Sequence, residues 1–262
     1  MNSIRIRNIV IVILALLNAI LLALLLGRRA QERAASDRAV RELVSLYAAS
    51  GISLSPDRIP AQSVFGASDP ARDTDAELRF ASALLGGETA ERALGGGIRR
   101  YSGEAGTCLI RTSGAVEAEL SRPVSDPDGF CGELFAAFGY TRLSSDGSSV
   151  TGVRTLGGGA VFNAPLTLTF EGGQLTGVTG TFLPPVAEAE GSPALDPITA
   201  LVRFLDYSNA SGTVCTEVRA VEQGYLLQSS ASAPLRLSPA WRIETDVSYY
   251  YVNLMNGEIS RG

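Results

Sequence analysis

The sequence contains no histidine and no lysine; its 22 basic residues are all arginine. Without histidine there is no Ser-His-Asp or Cys-His catalysis and no imidazole-based zinc site. Without lysine there is no P-loop, no Schiff base and no Ser-Lys dyad. Cysteine is sparse, and Cys108, Cys131 and Cys215 form no CxxC pair, so no metal cluster is indicated. No GxGxxG follows a strand-like stretch, and no GxSxG is present. What remains for chemistry is carboxylates, hydroxyls, thiols and guanidinium groups. These absences argue against most enzymes, and no cofactor and no metal are expected.

What is present is a globular balance: 262 residues, 45% apolar and 19% charged, with a net charge of −5. The charge is split. Residues 1–50 carry seven Arg against Glu32, Asp37 and Glu42, whereas the remainder carries fifteen Arg against 24 acids. An acidic body with few basic clusters is a poor binder of phosphates, so no nucleic-acid partner is expected.

Ile9 to Gly27 is a 19-residue run whose one clearly polar member is Asn18. As a helix it covers roughly 28 Å, about a bilayer core. It is longer than a signal-peptide core and is followed directly by Arg28 and Arg29, which favours an uncleaved anchor in the lipid bilayer. Orientation is contested. Arg28, Arg29, Arg33, Arg38 and Arg41 outnumber Arg5 and Arg7, and the positive-inside rule alone would place the body in the cytoplasm. Long downstream domains, however, translocate largely regardless of charge. A carboxamide at mid-membrane depth either bonds a neighbouring transmembrane helix or its own backbone. Asn18 is therefore a candidate partner contact.

From Arg28 to Ser50 no Gly or Pro interrupts, and Ser36, Val40, Leu43 and Tyr47 recur at helical spacing. This predicts a juxtamembrane helix that packs on the protein's own body. Helices are also predicted from Asp73 to Leu85, from Ser125 or Asp126 to Phe138, and from Asp196-Pro197 onward with Leu201, Phe204 and Leu205 inward. Short strands are predicted at 98–101, 108–112, 115–120, 140–143, 150–156, 160–170, 174–182, 215–227, 235–244, 249–254 and 258–260. Leu166, Leu168 and Phe170 alternate, as in a sheet with one wet face. The plan is α+β: a transmembrane helix and helical stalk, then small modules of antiparallel sheet, each with a helix on one face. The expected boundaries are a tail at 1–8, a span at 9–27, a juxtamembrane helix at 28–50, a linker at 51–66, an α+β domain at 67–184, a linker at 185–195 and a helix-plus-sheet module at 196–262.

Candidate chemistry is thin. Cys108 and Cys131 read either as a disulfide outside the cytoplasm or as buried small apolar groups. Asp126/Asp128 and Glu188/Glu190 are carboxylate pairs of the kind that glycoside hydrolysis would require. The first pair fits a helix start, the second a linker. Trp241 reads as a core aromatic or as a partner anchor. Tyr249, Tyr250 and Tyr251 should alternate faces, leaving one or two rings exposed.

Several segments together resemble a known family. Leu17-Asn18 sits in the apolar helix, and Gly51-Ile52-Ser53-Leu54 with Pro60 follows the stalk. Gly224-Tyr225, Pro239-Ala240-Trp241-Arg242-Ile243, Tyr250-Tyr251-Val252-Asn253 and Asn256-Gly257-Glu258-Ile259 close the chain. This layout resembles the YycI and YycH membrane-anchored regulators of Gram-positive bacteria, and the last stretch resembles a PepSY-type module. The resemblance implies a single-pass membrane protein with its N-terminus inside and its body outside. It implies a non-enzymatic role: modulating the sensor histidine kinase of a two-component system that controls the cell wall, alongside a related membrane-anchored regulator. Asn18 would contact the kinase within the membrane; Trp241 and Tyr250 are candidate contacts in the C-terminal module. The alternative is an anchored extracytoplasmic cell-wall enzyme or protease inhibitor, which requires a concave site with convergent carboxylates of raised pKa.

Overall fold

The computed structural model describes residues 22, 31, 34–60, 66–186, 195–230 and 233–262. The apolar run at 9–27 lies, apart from Leu22, outside the described residues, and so do Asn18, Glu188 and Glu190. Among the described residues no helix is long and apolar enough to cross a membrane.

Three helices start on the same device. In α2 (Thr74–Leu85), α3 (Pro127–Phe138) and α4 (Pro197–Ser211) an aspartate just before the helix accepts a backbone N–H from its first turn. Asp73 accepts from Ala76, Asp126 from Gly129 and Asp196 from Thr199. Such caps satisfy donors that the helix itself leaves free. Pro127 and Pro197 occupy first-turn positions, where the missing N–H costs nothing. Glycines end all three helices, at Gly86, Gly139 and Gly212. A further helix, α1, spans residues 34–49.

Each of α2, α3 and α4 is followed by four strands. After α2 come β2 (Ala90–Gly95), β3 (Ile98–Gly103), β4 (Gly106–Arg111) and β5 (Ala115–Pro123). After α3 come β6 (Tyr140–Ser145), β7 (Ser149–Leu156), β8 (Gly159–Glu171) and β9 (Gln174–Thr181). After α4 come β10 (Glu217–Ser230), β11 (Ala233–Thr245), β12 (Tyr249–Asn253) and β13 (Ile259–Arg261). A two-residue β1 (Ser53–Leu54) precedes them all and joins β10 in parallel. Short loops and hairpin turns keep neighbours antiparallel; Gly172 and Gly173, with φ of 56° and 78°, supply the left-handed pair that a tight β8–β9 turn requires.

The first two units interlock. Their strands run β2-β3-β4-β5-β9-β8-β7-β6, so the second unit returns its β9 to the edge of the first. The third unit is added through a parallel contact of two residue pairs, Gly224 with Ala160 and Tyr225 with Val161. The modules therefore form one mixed sheet rather than separate small sheets. This differs from the expected plan, because parallel pairing between distant strands has no local sequence signal. The other departures are β1 and β2, which carry no alternating apolar pattern; all six residues of β2 are exposed.

One face of the first two units is covered by α2 and α3. Leu166, Leu168 and Phe170 point into that core with Tyr101, Ile110 and Val178. Phe80 of α2 stacks on Phe182 at 4.6 Å and meets Phe138 of α3 edge-on at 5.2 Å. The opposite face is wet: one row reads Arg92, Arg100, Leu109, Glu117, Thr179, Thr167 and Thr151. A second core joins Leu43 and Tyr47 of α1 to Leu201, Phe204 and Leu205 of α4 and to Trp241, Ile243 and Tyr250 of the sheet. Each such apolar side chain contributes roughly 1.5–3 kcal/mol on burial. A smaller cluster, including Val161, Leu183, Tyr225 and Leu237, lies at the junction.

Candidate functional site

A cavity of about 640 Å³ opens where α1 meets the body. Val40, Ile59 and Ile198 give it an apolar lining, and Asp37, Arg41 and Asp196 give it charge. The site exists because α1 is anchored on only one side. Leu43 and Tyr47 face the core, and the Tyr47 hydroxyl donates to the carbonyl of Leu201 in α4 at 2.7 Å. Burial pushes the Tyr47 phenol far above its ordinary range, so it stays protonated and remains a donor. About two turns before Leu43, Ser36 and Asp37 are exposed, and the short helical turn Pro56–Arg58 forms the other wall. Asp196 is engaged locally: it accepts the Thr199 N–H at 3.0 Å and the Thr199 hydroxyl at 2.6 Å. The groove therefore offers apolar contact with a polar rim, at the point where the N-terminal segment enters the fold.

A second surface lies on the uncovered face of the C-terminal sheet. The Arg242 guanidinium sits over the Phe162 ring at 4.7 Å and near the Tyr249 ring at 5.3 Å, and it pairs with Glu222. Phe162 in turn stacks on Tyr251 at 5.7 Å. Tyr249 is 42% exposed. Such aromatic–arginine ladders combine cation–π attraction with apolar contact. Phe162 had no place in the sequence argument, since it reaches this face only through the parallel β8–β10 junction.

Trp241 and Tyr250 are fully buried, so Trp241 takes the core place that was one of its two readings, and neither ring is exposed as a partner contact would require. Both point toward α4. The Trp241 indole N–H donates to the Leu195 carbonyl at 2.8 Å, and Tyr250 packs against Phe204 at 5.0 Å. Strand alternation turns Tyr249 and Tyr251 to the other face, as predicted for two of the three tyrosines.

The acids take structural roles. Asp126 caps α3, and Asp128 pairs with Arg142 of β6. Asp246 accepts from the Thr216 hydroxyl and N–H, which hold its carboxyl below the usual range. Asp146 is lowered by the backbone N–H groups of Ser149 and Ser148, and Asp57 by the Ser55 hydroxyl. A general acid at neutral pH requires the opposite displacement. All three cysteines are free and buried. Burial pushes the Cys108 thiol up to about 12 and that of Cys131 to about 11, the range of inert thiols. Among the described residues, no three Cys, Asp or Glu side chains gather as a metal would require.

No protein-family model and no curated protein matches this chain. Two solved structures are similar to it in outline. One is an uncharacterized protein from Eubacterium rectale, with a TM-score of 0.44 and 11% identity over 76% of this chain and 81% of that one. The other is the Bacillus megaterium YpeB C-terminal domain, with a TM-score of 0.37 and 9% identity over 74% of this chain and 98% of that one.

Proposed function

We propose that this chain is a non-enzymatic, membrane-anchored regulator that modulates a sensor histidine kinase, with its body outside the membrane. The observation carrying this reading is the seating of α1 in the C-terminal core. Residues 34–49 lie a few residues beyond the apolar run at 9–27, and Leu43 and Tyr47 lock them against α4. A shift of the described part of α1 would thus reach the sheet through packed side chains. The layout resembling YycI and YycH, and the helix followed by antiparallel strands at 196–262, support the same reading. A related membrane-anchored regulator is the second proposed partner.

Regulation of this kind acts by linkage: the chain shifts the kinase only as far as it binds one kinase state better than the other. Asn18 is the proposed contact within the bilayer, where such a bond is worth about 0.6–2 kcal/mol. Asn18→Leu is expected to lower co-purification with the kinase roughly threefold to thirtyfold. Unchanged association would remove Asn18 from the mechanism. A reporter fused to the C-terminus should be active only in its extracytoplasmic form; a cytoplasmic signal would overturn the topology.

A further inference from the structure

β2 is the last strand of the sheet, and among the described residues it pairs with β3 alone, so none of them covers its outer backbone edge. Arg92 of β2 stands directly opposite Arg100 of β3 on the face away from α2. Directly opposed side chains approach to roughly 5 Å, and like charges there repel. Both arginines are exposed, and neither makes an ion pair among the described residues. Nearby, Arg99 pairs with Glu91 and Arg111 with Glu117.

At the other end of the same edge stand two acids. Glu88 precedes β2 and Glu104 follows β3; both are exposed and without an ion pair among the described residues. A Cβ on Gly103 would lie 3.4 Å from the Glu88 carbonyl, and one on Gly87 would lie 3.9 Å from the Glu104 carboxylate, so the acids share one end. The two outermost strands are therefore polarised, with acids at 88 and 104 just beyond one end and arginines at 92 and 100 along them.

We propose that two copies of this chain pair through β2 as antiparallel strands related by a two-fold axis at Ala90. A two-fold axis normal to the sheet keeps each side chain on its own face, so the pairing must centre on a residue. Centring on Glu91 would oppose Glu91 to itself, and centring on Arg92 would oppose Arg92 to itself. Centring on Ala90 sets Arg92 of each copy opposite Glu88 of the other, with Arg100 and Glu104 behind them. The small Ala90 side chains meet at the axis. Edge charges commonly serve to repel other strands, but that purpose is served by one sign along the edge. Segregated charges are what an isologous interface needs. The inference stands apart from the kinase reading, and the failure of either leaves the other intact.

The test uses the full chain in its membrane or in detergent, with Ala90→Cys as probe. Two such residues at the axis would lie within disulfide reach, as antiparallel partners are about 4.5–5.5 Å apart at Cα. The native cysteines are buried and do not compete. Mild oxidation is expected to link Ala90→Cys into dimers at least about tenfold faster than Ser145→Cys on the exposed β6 edge. Adding Arg92→Glu, or Glu88→Arg, should slow linking about tenfold, as each removes two ion pairs per dimer. Adding both should restore it, because the reversed charges again match. All these positions are exposed, and melting curves check that each variant folds. Linking no faster than the control, linking only to a different protein, or no restoration by the double reversal would each overturn the proposal.

Discussion

The Glu77 carboxylate is almost fully buried, and its two oxygens are held by three donors. Arg72 reaches it with Nε at 2.7 Å and a terminal nitrogen at 2.9 Å, and the Tyr101 hydroxyl donates at 2.9 Å. The same guanidinium donates to the Gly97 carbonyl at 2.7 Å and the Thr112 hydroxyl at 3.0 Å, tying the start of α2 to β3 and β4. A buried charge that loses its partner is costly. Arg72→Met should therefore destabilise the fold by about 3–5 kcal/mol in denaturant titration, and Glu77→Gln, which keeps an oxygen for Tyr101, by less. Asp246 behaves differently because it is only partly buried. Its folded pKa lies below its ordinary value of 3.8, held there first by Thr216. Its contribution is present above that ordinary value and is lost as pH falls through the lower folded value. Asp246→Asn should thus lower the melting temperature at pH 7, and the gap to the parent protein should close as pH falls below about 4.

At the scale of elements, the three glycine-ended helices separate backbone geometry from packing. Gly139 and Gly212 both end their helices with positive φ, 66° and 69°. A Cβ at Gly212 meets nothing within 4 Å, whereas at Gly139 it would lie 2.4 Å from the Arg154 guanidinium. Arg154 is buried beside the Tyr140 ring and cannot swing freely into water. Gly212→Ala should therefore cost about 1 kcal/mol, the strain of the left-handed backbone. Gly139→Ala should cost that plus a repacking term of roughly 1–3 kcal/mol. Comparing the two unfolding midpoints checks the difference.

For the whole molecule, the parallel β8–β10 contact unites the sheet. Gly224 makes it possible: a Cβ there would lie 2.3 Å from the Ala160 carbonyl and 2.6 Å from the Phe162 ring. Asn163 extends the junction, donating to the Leu227 carbonyl at 2.9 Å and accepting its N–H at 2.7 Å. Gly224→Val should open this seam while leaving the α2/α3 core and the α4 core closed. Hydrogen exchange should then rise at 160–163 and 224–227, and stay slow at Leu166, Leu168 and Ile243. Uniform acceleration would mean that the two cores unfold together.

Much of this was legible in the residues. The aspartate starts at Asp73, Asp126 and Asp196 and the inward face of α4 follow from local rules. So do the strands from β3 onward, because alternation and turn chemistry act between near neighbours. The inward turn of Leu43 and Tyr47 was legible too. On α3, Leu134 and Phe135 are buried, whereas Phe130 and Phe138 stay partly open. β2 was not legible, since its six exposed residues carry no apolar pattern. The burial of Trp241 and Tyr250 depended on which side of β11 and β12 receives α4. The sequence by itself determined the helices, the strands from β3 onward and a composition without His or Lys chemistry, because these depend on residue type and short-range geometry. Only the tertiary structure decided the interlocked strand order, the parallel seam, the groove beside α1 and the polarised β2 edge. Each of these joins residues far apart in the chain, and no periodicity records which distant strands will meet.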